Sequence, residues 1–75
     1  MAWEAMPYPV EADEYPVREG YKIEGGFIAT IEQFYENAPY YANAITPQGA
    51  SERSGPMRDY AAAKAWAERT AGVRP

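Results

Sequence analysis

Hydrophobic and polar positions alternate along three stretches of this chain and recur at helical spacing in a fourth. Residues 20–24, Gly-Tyr-Lys-Ile-Glu, alternate and then meet Gly25-Gly26. A pair of glycines between alternating runs predicts a hairpin, because primed turns need positive φ. The run from Phe27 to about Tyr35 puts Phe27, Ala29 and Ile31 on one face and Ile28, Thr30, Glu32 and Phe34 on the other. Glu36-Asn37-Ala38-Pro39 reverses the chain, and a further strand from Tyr40 to Thr46 opposes Tyr40, Ala42 and Ala44 to Tyr41, Asn43 and Ile45. Pro47-Gln48-Gly49 ends it with turn residues.

The last stretch changes period. Asp59 stands where an N-cap is needed, the run from Tyr60 to Ala71 is rich in helix formers, and Gly72 suits the position after a helix. At helical spacing Tyr60, Ala63, Trp66, Ala67, Thr70 and Ala71 share a face, with Trp66 as the expected wedge into the core. Residues 50–58 are polar, and Met57 is placed to finish a short edge strand. Residues 1–19 carry Pro7, Pro9 and Pro16, which exclude a regular helix or a central strand. They also carry Trp3, Met6, Tyr8, Val10, Tyr15 and Val17, which disordered segments lack, so an extended arm that packs on something is expected.

The expected architecture is a single α+β domain over 1–75. It comprises an irregular Pro-rich arm (1–19), a small antiparallel sheet of about three strands (20–58) and one C-terminal helix (59–72) packed on it. Residues 25–46 then present two apolar faces to one helix. Phe27, Ala29 and Ile31 are assigned to the helix. Ile28, Phe34, Tyr41 and Ile45 await another cover, either the arm with Trp3, Tyr8 and Tyr15 or a partner.

Composition narrows the chemistry. The 75 residues include 7 Tyr, 2 Phe and 2 Trp but no Leu, so aromatics and alanines must build the core. With no Cys and no His, disulfides, thiol nucleophiles, histidine bases and the usual zinc sites are all excluded. Gly25-Gly26 lacks the Gly-Lys-Ser/Thr of a phosphate loop. Asp13 and Glu14 are adjacent on an extended chain and point apart. No catalytic, cofactor or metal residues are assigned, and the expectation is a protein that is not an enzyme. No apolar run reaches membrane-spanning length and the first residues lack a signal-peptide pattern, so a cytoplasmic protein is expected.

The net charge of −4 is unevenly spread. Residues 1–36 hold 8 acids against 2 bases, giving −6, and residues 37–75 hold 3 against 5, giving +2. The first half should repel phosphate backbones and attract basic surfaces.

Two resemblances bear on function. Gly26-Phe-Ile-Ala-Thr-Ile31 followed by the helix from Asp59 to Glu68, about half of the chain, resembles the three-stranded, one-helix DNA-binding domains at the N-termini of phage-type integrases. That resemblance implies DNA reading from the exposed sheet face. Here the corresponding positions are Ile28, Thr30 and Glu32, a departure that argues against phosphate contacts and leaves only Arg53, Arg58, Arg69 and Arg74 to make them. Over its whole length, in size, acidity and aromatic content, the chain resembles the small phage-encoded anti-CRISPR and antirestriction proteins. This implies a stoichiometric inhibitor in a bacterial host, docking on a nucleic-acid-processing complex by covering a basic surface or locking a subunit.

The reading favoured is therefore a binding protein whose partner is a protein with a basic surface, with no direct nucleic-acid or membrane contact, as a monomer or dimer. Glu11, Asp13, Glu14, Glu24, Glu32 and Glu36 are the expected electrostatic contacts, with Tyr35 and Tyr41 as anchors. The alternatives are a small nucleic-acid-binding or regulatory domain using the C-terminal arginines, and a phage or mobile-element assembly protein.

Overall fold

A tight turn at Glu24-Gly25 and a doubly capped helix fix the ends of the two longest elements. The computed structural model describes residues 2–5 and 17–73. They form β1 (Ala2–Ala5), β2 (Val17–Ile23), β3 (Gly26–Glu32), β4 (Tyr41–Ile45), β5 (Ser51–Arg53) and α1 (Tyr60–Ala71). The strands make one antiparallel sheet in chain order, β1-β2-β3-β4-β5, with α1 packed across β3 and β4. The class is α+β, as the pattern predicts, but the sheet has five strands rather than about three. Ala2–Ala5, inside the expected arm, pairs with β2, and Ser51–Arg53, inside the expected polar linker, pairs with β4.

Local chemistry explains the joints. Ile23 pairs with Gly26, so the β2–β3 loop is Glu24-Gly25 rather than the two glycines, and Gly25 has φ 93°. The β3–β4 loop closes where the Ala38 N–H donates to the Tyr35 carbonyl at 3.0 Å, with Asn37 left-handed at φ 68°. Gln33 Nε2 donates to the Ala38 carbonyl at 2.9 Å and holds that loop from inside. Beyond β5, Ser54 acts as a substitute rung: its Oγ accepts from the Ala42 N–H and its N–H donates to the Ala42 carbonyl, each at 2.8 Å. Met57 then pairs with Tyr40 as an isolated bridge.

The helix begins and ends where its sequence says. Asp59 accepts from the Ala61 N–H at 3.1 Å. Gly72, at φ 77°, donates to the Arg69 carbonyl, and the Val73 N–H reaches the Glu68 carbonyl, the paired bonds of a Schellman close.

The core lies between α1 and the sheet, and small side chains dominate it. Ala63, Ala67 and Ala71 of the helix meet Ala29, Ile31, Ala42 and Ala44 of β3 and β4, with Tyr21 completing the cluster. Trp66, the expected wedge, is only partly buried at the margin of this interface. The alanines bring the helix backbone too close to the sheet for an indole to enter between them.

A bulge corrects the face assignment in β3. Tyr21 pairs with Ala29 and Lys22 with Phe27, so Ile28 is the extra residue. Ala29 and Ile31 face the helix as expected. Phe27 is switched to the opposite face, 39% exposed, where its ring lies over Gly20. Ile28 packs against the core cluster instead of standing on the far face. A Cβ at Gly20 would sit 2.6 Å from Phe27 Cδ1, so glycine there makes room for the displaced ring.

A polar strip fastens the helix flank to β1 and β2. The Tyr60 hydroxyl donates to Glu19, Lys64 Nζ lies 3.1 Å from the same carboxylate, and Trp3 Nε1 donates to Glu68 at 2.8 Å. Trp3 also meets Tyr21 edge-on at 5.3 Å. Burial first, then the bond to Glu19, raises the Tyr60 pKa well above the ordinary tyrosine value of 10.0. A phenol whose pKa is raised by folding contributes stability that is complete below about pH 10 and is lost as pH climbs towards the folded-state value. Tyr60→Phe should cost about 1–2 kcal/mol at pH 7 and flatten the fall in stability above pH 10. Urea midpoints of both proteins between pH 7 and 11 check this; parallel curves would refute the coupling.

Candidate functional site: the face of the sheet away from the helix

The face of the sheet away from α1 is built by the residues that alternate with the core. Across its middle, Gly20 pairs with Thr30, Thr30 with Asn43, and Asn43 with Arg53. Asn43 Nδ2 donates to Thr30 Oγ1 at 3.4 Å, and Arg53 Nη1 donates to Asn43 Oδ1 at 3.0 Å. At one end, Phe27 and Ile45, 39% and 43% exposed, flank a shallow depression of about 190 Å³ that Thr30, Asn43 and Ser51 also line.

At the other end, aromatic rings surround an ion pair. Glu32, opposite Val17 and Tyr41, is 1% exposed. Arg53 Nη1 lies 2.9 Å from Glu32 Oε1. At that distance the contact is a close ion pair, though without the alignment of a good hydrogen bond. The Arg53 guanidinium carbon is 4.9 Å from the Tyr41 ring centroid and 5.9 Å from that of Phe34. The two rings meet edge-to-face at 5.7 Å. Phe34 is 51% exposed and its neighbour Tyr35 67%. Glu36, also exposed, lines a second, polar depression of about 410 Å³ with Arg18, Gln33, Asn37 and Tyr40.

The residues expected to contact a partner do not form one surface. Tyr41 meets Phe34 at the β3–β4 end of the sheet, and Tyr35 and Glu36 follow Phe34 in the connection there, Glu36 beside Tyr40 rather than Tyr41. Glu24 sits in the β2–β3 turn, at the far end of seven-residue β3, roughly 20 Å away at the rise of a strand. Glu32 is 1% exposed and its charge is balanced by Arg53 within the fold, so any partner cation would meet it only in place of Arg53. Glu11, Asp13 and Glu14 lie outside the described residues, as do Tyr8 and Tyr15 of the arm expected to cover this face. Trp3, expected there with them, is instead on the helix side, edge-on to Tyr21 and bonded to Glu68.

Phe34 was expected only on the face awaiting a cover, and Arg53 only as a phosphate contact in the alternative reading; neither was among the expected protein contacts. Phe34 carries a readable signal, an aromatic on the non-helix parity of β3 directly before Tyr35. Arg53 carries none, because its position depends on a three-residue strand without apolar alternation.

Among the described residues, Lys22 and Arg53 on this face each stand beside a carboxylate, Glu4 at 4.0 Å and Glu32 at 2.9 Å. Among the described residues no three acidic side chains group as a metal site, and no helix is long and apolar enough to cross a membrane. No family model matches the chain, and neither a curated protein nor a solved structure matches it, so the site is defined by its geometry alone.

Proposed function

We propose that this chain is a small non-enzymatic inhibitory protein that docks on a basic, nucleic-acid-binding surface of a bacterial defence complex. The observation that carries the docking site is the exposed pair Phe34-Tyr35 at the β3–β4 end of the sheet, with Phe34 against Tyr41 and Glu36 exposed next in the chain. Exposed aromatics contribute large contact area at low entropic cost and are typical interface anchors. Their faces attract guanidinium and ammonium groups, as Tyr41 and Phe34 already do with Arg53. The chain's charge of −4 steers it towards a basic partner. The bacterial defence complex follows from the resemblance in size, acidity and aromatic content to anti-CRISPR and antirestriction proteins.

The test uses partner capture followed by measured affinity. The partner retained from bacterial lysate is purified and titrated with the chain and with the double variant Tyr35→Ala/Glu36→Lys. Both side chains are exposed, so the variant should keep its stability within about 0.5 kcal/mol. Its affinity should fall about tenfold or more, with a shallower salt dependence. An unchanged affinity would remove this site. Tight, salt-sensitive binding of the chain to random duplex DNA would favour the alternative, a nucleic-acid-binding domain; the carboxylates beside Lys22 and Arg53 weigh against it.

A further inference from the structure

We infer that Glu32, Phe34 and Tyr41 form a receptor for an arginine side chain of the partner, and that Arg53 fills it in the free protein. The inference rests on the basic-partner reading above and names the group that this end of the sheet receives. Three features converge on one spot. A carboxylate lies at its base, buried to 1% exposure. Two rings wall it, 5.7 Å apart and inclined at 61°. A guanidinium already occupies it, within 4.9 Å of one ring centroid and 5.9 Å of the other. A carboxylate under aromatic faces is the chemistry that selects a flat cation with several donors, which is arginine rather than lysine.

The present occupant fits imperfectly. Arg53 Nη1 donates to Asn43, not to Glu32, and Glu32 Oε1 is left buried without a hydrogen bond. Carboxylate–guanidinium pairs are normally hydrogen-bonded, often through two parallel bonds. Glu32 Oε1, 2.9 Å from Arg53 Nη1 but poorly aligned with it, can accept a better-directed donor than Arg53, tied to Asn43, supplies. Arg53 is also lightly held. It ends an edge strand of three residues, all exposed, and its own side chain is 47% exposed. An arginine arriving from outside the sheet, free of the register that ties Arg53 to Asn43, can direct two N–H groups at Glu32 while its plane stacks on Tyr41. Arg53 then swings into water, and the site never loses its cation.

The experiment vacates the receptor and offers a small guest. Arg53→Ala is titrated with N-acetyl-arginine amide at constant ionic strength, following the ring resonances of Phe34 and Tyr41. Saturable shifts are expected, with a raised melting temperature. N-acetyl-lysine amide should bind more weakly, and Glu32→Gln in the Arg53→Ala background should weaken the arginine guest about tenfold. Absence of saturable shifts overturns the inference, and so does equal affinity with and without the Glu32 carboxylate.

A second measurement guards against failure of Arg53→Ala to fold. The unaltered chain is titrated with a tetra-arginine peptide, and Phe34, Tyr41 and the Arg53 side-chain signals should shift together. Shifts confined to other acidic residues overturn the inference. The arginine guest needs no partner protein, so its binding survives an error in the docking site. Conversely, a vacant receptor that ignores arginine leaves the Tyr35–Glu36 contact to be judged by partner affinity.

Discussion

Ile31→Ala should lower the unfolding free energy by about 2–5 kcal/mol, measured by urea denaturation with the fluorescence of Trp3 and Trp66 as the probe. Ile31 is fully buried and, among the described residues, is the largest side chain to be so. It pairs with Glu19 on one side and Ala42 on the other and faces the helix alanines. The buried residues around it are mostly alanines, too short to fill the void, so the cavity should stay open. A domain of this length has about 4–11 kcal/mol of stability in all. The variant should therefore be close to its unfolding transition at room temperature. A loss under about 1 kcal/mol would mean that the helix and sheet can close up, and that the alanine contact is looser than it looks.

Arg53→Ala should cost about 2–3 kcal/mol, and Glu32→Gln only about 1 kcal/mol, although both break the same ion pair. The asymmetry follows from where the two charges sit. Removing Arg53 leaves a carboxylate at 1% exposure with nothing to balance it, whereas removing the Glu32 charge leaves a guanidinium already half in water. Arg53→Ala falls short of a fully buried pair's cost because opening that side lets water reach the carboxylate. A double-variant cycle read by urea denaturation should show Glu32→Gln/Arg53→Ala costing less than the two single changes together. Equal single costs or simple additivity would show that the pair is not coupled. The same asymmetry limits how Arg53 can move: it leaves Glu32 cheaply only when another cation takes its place.

What the sequence reveals here depends on how local its causes are. The helix was legible to the residue, because Asp59, the alanine run and Gly72 act within a few positions of one another. The β2–β3 hairpin and the β3–β4 reversal were legible for the same reason. β1 was hidden by the prolines that follow it at 7, 9 and 16, and β5 by its brevity and polarity. The bulge at Ile28 could not be read from β3 alone, since it arises from the pairing with β2 and from the space that Gly20 leaves for Phe27. Of the candidate site, the Phe34–Tyr35–Glu36 run lay in plain view. The burial of Glu32 did not, because its counter-ion is 21 residues away on a strand that only the sheet defines.

The alanine contact between helix and sheet has a consequence for how such a chain can change over generations. In most cores a large residue enlarged on one side can be offset by a smaller one opposite. Here Ala63, Ala67 and Ala71 already face Ala29, Ala42 and Ala44, so the only smaller replacement is glycine, which weakens the helix or strand that carries it. These six positions should therefore tolerate enlargement poorly as a set. A relative that carries a bulky residue at any one of them must have shifted its helix bodily, and with it the Tyr60, Lys64 and Glu68 fastenings along β1 and β2.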